Sequence, residues 1–141
     1  MIDKARLEVL IAPHERVLVI CPRRSRKSVF LCDYVNENGD ERSIVLGLTG
    51  GMARELGQHV TSGALCVSLN APQMTLRRSK HASLLCVDEA LFHRFELLAP
   101  HFHCCRVLAI SSQSPWEAHA TAHFAAAGFV VIDAPLIAKD V

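Results

Sequence analysis

Six short apolar runs punctuate the chain, at 16 to 20, 44 to 48, 64 to 69, 83 to 87, 106 to 111 and 129 to 133. Each is too short for a helix and several are rich in Val and Ile, so each predicts a strand buried on both faces, as in a parallel sheet. Between them lie stretches with helical spacing, at 28 to 35, 52 to 60, 90 to 102 and 115 to 127. The last opens with Ser114 as a cap and Pro115 at the first helical position, and closes on Gly128. Residues 2 to 15 run to a proline at 13 and predict a short helix or turn packed against the domain. Alternating strands and helices predict a three-layer α/β fold, a mostly parallel sheet with helices on both faces. In such sheets ligands bind beyond the carboxyl ends of the strands, near a topological switch point.

A polar turn at 36 to 41 and one substantial loop at 70 to 81 separate these elements. With 141 residues, half of them apolar, the chain fits a single domain spanning 1 to 141 with one continuous core. No apolar stretch approaches the roughly 20 residues of a membrane span, and no basic-then-apolar leader is present. A soluble cytoplasmic protein, in the host cell if viral, is the expectation. The net charge of +1 favours no partner class, so any nucleic acid must be held by local basic patches, of which there are two, at 23 to 27 and 77 to 81. The six cysteines show no Cys-x-x-Cys spacing and read as reduced, structural thiols. His101, His103, Cys104 and Cys105 have metal-ligand chemistry but lack a full ligand set, and a plain helix-to-strand loop is the favoured reading.

The chemistry concentrates in two places. Directly after the first apolar run comes Cys-Pro-Arg-Arg-Ser-Arg-Lys-Ser, residues 21 to 28. A phosphate-gripping loop needs inward backbone N–H groups, a helix N-terminus, a lysine for the outer phosphates and a hydroxyl for magnesium, in the pattern G-x-x-x-x-G-K-[ST]. Lys27 and Ser28 match it. Cys21 and Arg26 stand where the pattern has glycines, and a Cβ at 26 restricts the backbone close to the phosphates. The arginine at least adds a cation; the bland alternative is a basic turn of Arg23, Arg24, Arg26 and Lys27 leading into a helix. Downstream, Leu-Leu-Cys-Val before Asp88 and Glu89 is an apolar strand ending in two carboxylates. That arrangement suits an aspartate beside magnesium and a glutamate that polarises water, or a cap and first-turn acid for a helix over 90 to 102.

The loop Pro-Arg-Arg-x-x-Lys-Ser without its first glycine resembles that of large terminase subunits, and Val-Asp-Glu-Ala with a following phenylalanine and Leu-Leu-Ala-Pro looks like the matching segment of terminases and related helicases. The chain thus resembles a P-loop NTPase core of RecA-like, ASCE type with a degenerate Walker A loop, over roughly residues 16 to 116. The resemblance implies ATP and Mg2+ as ligands. Pro22, Arg23, Arg24, Ser25, Arg26, Lys27 and Ser28 would cradle the phosphates, with Lys27 on the β- and γ-phosphates. Ser28 and Asp88 would arrange magnesium, and Glu89 would activate water. In those families the next strand ends in a hydroxylic motif, which makes Ser111, Ser112 or Gln113 the reporter of the γ-phosphate, though the same residues also suit a helix cap. Arg77, Arg78 and Lys80 form a loop patch for DNA or RNA phosphates. An arginine from a neighbouring subunit would complete the site, implying a homo-oligomer or a partner subunit, unless Arg23 or Arg24 serves in cis.

Other patterns carry less. Thr49-Gly50-Gly51 reads as a helix start, Trp116 as an anchor between helix and sheet, and His119 with His123 as a histidine pair on one helix face. Two functions remain open: an ATP-binding, ATP-hydrolysing motor-type domain acting with nucleic acid, or a catalytically impaired module of the same fold that binds protein or nucleic acid. Residue 26 separates them.

Overall fold

The structure, a computed structural model, describes residues 1–137. All six expected strands form: β1 (Arg16–Cys21), β2 (Ile44–Gly47), β3 (Leu65–Ser68), β4 (Leu85–Val87), β5 (Val107–Ser112) and β6 (Val130–Asp133). Every neighbouring pair is parallel, and the sheet runs β3-β2-β4-β5-β1-β6. Because side chains alternate along each strand, each central strand feeds two cores. Val17, Val19 and Cys21 meet α1 (Lys4–Ile11), α2 (Lys27–Asn38) and α3 (Gly50–Gly57) through Leu7, Ile11, Phe30, Leu31 and Leu56. Leu18 and Ile20 face the opposite layer, built by α4 (Leu76–Lys80), α5 (Phe95–Leu98) and α6 (Glu117–Ala126). That second core closes on Phe95, Phe102, Phe124 and Phe129, whose contacting ring centroids lie 4.9 to 6.2 Å apart. Burying each such side chain contributes roughly 1.5–3 kcal/mol.

The register creates a step at the carboxyl edge. Val87 pairs with Ala109 and Ala109 with Leu18, yet β5 continues to Ser112 and β1 to Cys21. Strands β1 and β5 therefore project about 10 Å beyond β4, at ~3.3 Å per residue over three residues. The chain leaves β1 through α2 on one face and leaves β5 through α6 on the other. Their divergence makes β1 and β5 the topological switch point, and the crevice that such a point opens lies at this carboxyl edge.

Several expectations change. The helix over 90 to 102 breaks into a 3-10 turn (Ala90–Phe92), α5 and a second 3-10 turn (Ala99–His101). Glu89 is left-handed and His93 extended, and the Leu91 N–H is drawn to the Ser111 hydroxyl at 3.2 Å, so the chain folds back onto β5 instead of winding on. Asp88 and Glu89 consequently cap no long helix. The loop at 70 to 81 contains α4, capped by the Thr75 hydroxyl accepting from the Arg78 N–H. Helix α3 spans Gly50–Gly57, with Thr49 capping it. Helix α6 starts later than expected because Ser114 accepts from Glu117 and Trp116 in a turn. Trp116 thereby falls outside the helix with 70% of its surface exposed, so it anchors nothing; Phe124 and Phe129 fill that core. Gly128 closes α6 with φ +89, as expected of a helix-ending glycine.

Gly47 lets α3 approach the end of β2: a Cβ there would stand 2.6 Å from the Ala53 nitrogen and 2.7 Å from its Cα. Backbone cannot yield as a side chain can. Gly47→Ala should destabilise the fold by about 1–3 kcal/mol, read as a lower urea midpoint with unchanged m-value.

Candidate functional site

The loop after β1 makes its turn without the glycines of the phosphate-loop pattern. Arg24 (φ 59) and Arg26 (φ 61) both take left-handed backbone conformations, and Arg26 stands at the N-cap of α2 with no side-chain cap bond. The N–H groups of 23 to 29 donate to no backbone acceptor among the described residues. They are the unsatisfied donors of a helix start, where anions are favoured. Behind the loop, Ser25 is buried and its carbonyl accepts the Ile2 N–H at 3.1 Å, so an N-terminal segment ties the loop down. Burial pushes the Cys21 thiol up to about 11, against the Ser25 hydroxyl beside it, which keeps this thiol protonated and inert. The side chains of Arg23, Arg24 and Arg26 lie exposed, so Arg26 does not fill the cradle as its Cβ suggested.

Strand β4 delivers the carboxylates. The Lys27 ammonium lies 2.9 Å from Asp88 Oδ1 and 3.0 Å from Glu89 Oε1, with 15%, 2% and 15% of the three side chains exposed. The two motifs meet although β5 separates β1 from β4, so they do not sit on adjacent strands. Strand β5 instead supplies the link: Ser112 donates to Glu89 Oε1 through its N–H at 3.0 Å and its hydroxyl at 2.8 Å. Burial pulls the Lys27 ammonium down, but both carboxylates outweigh it and hold it above its ordinary 10.5. Burial likewise pushes Glu89 up, and the Ser112 N–H with the Lys27 ammonium brings it below its ordinary 4.5. Lys27 and Glu89 are therefore both charged at neutral pH.

Of the other expected residues, Ser28 is exposed beside Lys27, and it shares with Asp88 the wall of a cavity of about 550 Å³ between α2 and α3. Ser111 is buried and holds the Leu91 N–H. Gln113 extends the β1–β5 ladder through its N–H to the Cys21 carbonyl at 3.2 Å and exposes its side chain, whereas Ser112 makes the contact with Glu89. Arg77, Arg78 and Lys80 stand exposed on α4, in the layer opposite α2. The 101 to 105 cluster is dispersed: His101 is buried against the Ser79 hydroxyl, Cys104 donates to the Arg106 carbonyl, and His103 and Cys105 are exposed. His119 and His123 share a face edge-on, the latter stacked on Phe95.

Sequence reasoning missed His93. Its Nε2 donates to the Asp88 carbonyl at 2.9 Å, and burial pulls its pKa below the ordinary 6.5 despite that bond. Glu89 (φ 51) is the third left-handed non-glycine residue among those described, and His93 closes the turn that holds it so. The expected long helix hid this contact, since it would have carried His93 away from Asp88.

No protein-family model matches the sequence, and no curated protein matches it. Among solved structures the chain is similar to one that reports the structural basis for DNA unwinding at forked dsDNA by two coordinating Pif1 helicases. The TM-score is 0.58 at 16% sequence identity, over 98% of this chain and 44% of that one. At such identity the likeness shows the fold: an all-parallel α/β sheet similar to a helicase RecA-like domain. The chain spans less than half of that structure's length. Among the described residues no helix is long and apolar enough to cross a membrane.

Two stability measurements follow from the site. A left-handed residue with a Cβ costs roughly 1–2 kcal/mol, so Arg26→Gly should hold or raise the urea midpoint while the β-branched Arg26→Val lowers it. For the ion cluster, a carboxyl held below its ordinary value stabilises the fold above pH 4.5, and this contribution fades as pH falls through the lowered value. The raised lysine contributes below pH 10.5 and fades as pH climbs through its own higher value. Unfolding curves of wild type and Glu89→Gln should therefore diverge near neutrality and converge well below pH 4.5.

Proposed function

We propose that this domain binds ATP with magnesium in the crevice above β4 and hydrolyses it, acting alongside nucleic acid. The observation that carries this reading is the meeting of Lys27 with Asp88 and Glu89 beside a helix N-terminus whose N–H groups are free. The loop N–H groups and Lys27 take the β- and γ-phosphates, and the exposed Arg23 and Arg24 extend that positive rim. A hydroxyl at Ser28 and a carboxylate at Asp88 on one cavity wall are the hard oxygen donors that magnesium prefers. Bound there, magnesium supplies charge neutralisation for the phosphates. Glu89, fixed by Ser112 and ionised, accepts the proton of the attacking water. Ser112 is then the residue on β5 that feels the state of Glu89, with Ser111 holding the turn behind it and Gln113 exposed toward the γ-phosphate. The exposed cations of α4 offer phosphate contacts to DNA or RNA. An arginine from a second subunit closes the open outer side of the nucleotide.

A second reading, a nucleotide-free assembly module, draws support from Lys27, whose charge is already met by two carboxylates. Calorimetric titration with Mg-ATP separates the two. Wild type should release heat, Lys27→Ala should bind at least about tenfold more weakly, and Glu89→Gln should bind but lose hydrolysis by about a hundredfold or more. Arg26→Gly should raise affinity. Absence of heat in every protein favours the module.

A further inference from the structure

We propose that the groove between α2 and α3 is a binding site for an aliphatic di- or polyamine, with Asp33 and Glu55 as the partners of its ammonium groups. The groove is a cavity of about 550 Å³, within the roughly 300–1,000 Å³ of small-molecule sites. Ser28 and Asp88 border it at the start of α2 and the end of β4, but Asp88 is already met by Lys27. The amine site uses neither the loop nor Lys27 and so stands apart from the nucleotide reading. Contacts between the two helices hold the groove open. Asn36 on α2 donates through Nδ2 to the His59 carbonyl at 2.9 Å and accepts the Thr61 N–H at 2.7 Å, which fixes α2 against the chain leaving α3. Cys32 donates to the Leu56 carbonyl at 3.8 Å across the buried floor. A preformed cleft of this kind does not have to be ordered by its ligand.

The lining sets the class of ligand. Val29, which is 56% exposed, lies with Cys32, Met52 and Leu56 along the cavity and gives it an apolar bed. Asp33 stands on the α2 wall and Glu55 on the α3 wall, and among the described residues neither forms an ion pair. Among the described residues no lysine or arginine lines the cavity. Two carboxylates without cations across an apolar bed call for positive charge carried on a hydrocarbon chain: the ammonium groups meet the carboxylates, and the methylenes cover the bed. A bare dication does not fit, since among the described residues no three ligating side chains converge and apolar surface offers it no oxygen. A basic helix does not fit either. Helix α3 has 8 residues and is therefore about 12 Å long, too short a wall for the roughly 800 Å² per partner of a stable protein interface.

The test is calorimetric titration of the whole chain with spermidine, without nucleotide, at about 0.15 M salt, where loose surface pairing is screened. Wild type should bind with a Kd below about 1 mM and unfold at a higher temperature with spermidine present. Asp33→Asn and Glu55→Gln should each weaken binding about three- to fivefold, and the two together about tenfold or more. The single ammonium of n-butylamine should likewise bind about tenfold more weakly or worse. Glu15→Gln, which removes an exposed carboxylate outside the groove, should change nothing. Val29→Phe fills the groove from an exposed position and should block spermidine, which covers the case in which the doubly substituted chain does not fold. Equal spermidine affinity in wild type, Val29→Phe and the double variant overturns the proposal, as does the absence of binding in wild type. Heat from a lysine-rich peptide with none from spermidine overturns it in favour of a protein partner. Spermidine binding that needs Asp33 and Glu55, with no heat from Mg-ATP, leaves this inference standing and removes the nucleotide reading; the reverse result removes this inference alone.

Discussion

The crevice depends on the balance among one half-buried ammonium and two carboxylates. Taking Asp88 and Glu89 out of water next to each other is costly, and removing a partner from such a cluster typically costs about 3–5 kcal/mol. The ammonium of Lys27 offsets that cost, and it can do so only because three elements meet at the sheet's carboxyl edge. Helix α2 begins there, β4 stops there, and β5 overshoots to reach Glu89 with Ser112. The parallel sheet brings the groups together; the charges then fix the geometry of the loops that carry them.

Backbone strain marks the same place. The three non-glycine residues with positive φ among those described, Arg24, Arg26 and Glu89, all belong to this crevice. Each such conformation persists only where the surroundings over-determine it. For Glu89 they are visible: Ser112 on the carboxylate, His93 on the preceding carbonyl, and Ser111 on the turn that follows. For the loop, the Ile2 N–H on the Ser25 carbonyl performs the corresponding task. The turn after β4 therefore could not become the helix that its apolar spacing suggested.

Much of the fold was legible because a parallel sheet leaves a direct record: strands buried on both faces read as continuous apolar runs, and all six runs are strands, although β6, at the sheet's edge, is largely exposed instead of buried. The meeting of Lys27 with Asp88 and Glu89 was also legible, as a consequence of strand ends sharing one edge. What stayed hidden depends on contacts between segments. The spacing at 90 to 102 fits a helix equally well whether or not Ser111 captures Leu91, and nothing local to Trp116 reveals that Phe124 and Phe129 already fill the core it was expected to join. The sequence likewise left Ser111, Ser112 and Gln113 as alternatives, whereas the stagger of β4 against β5 decides which of them meets Glu89.

Arg26 is where pattern and physics part. Glycine is favoured before the lysine because the position needs a left-handed backbone and open space above it. The structure supplies both with arginine: φ is 61 and the side chain lies exposed. The substitution therefore changes the cost of holding the loop more than its shape. That cost, roughly 1–2 kcal/mol, falls on the same loop that carries Lys27 to its two carboxylates. An arginine here also brings its guanidinium to the exposed rim of the loop and adds positive potential there. The loop is strained but open.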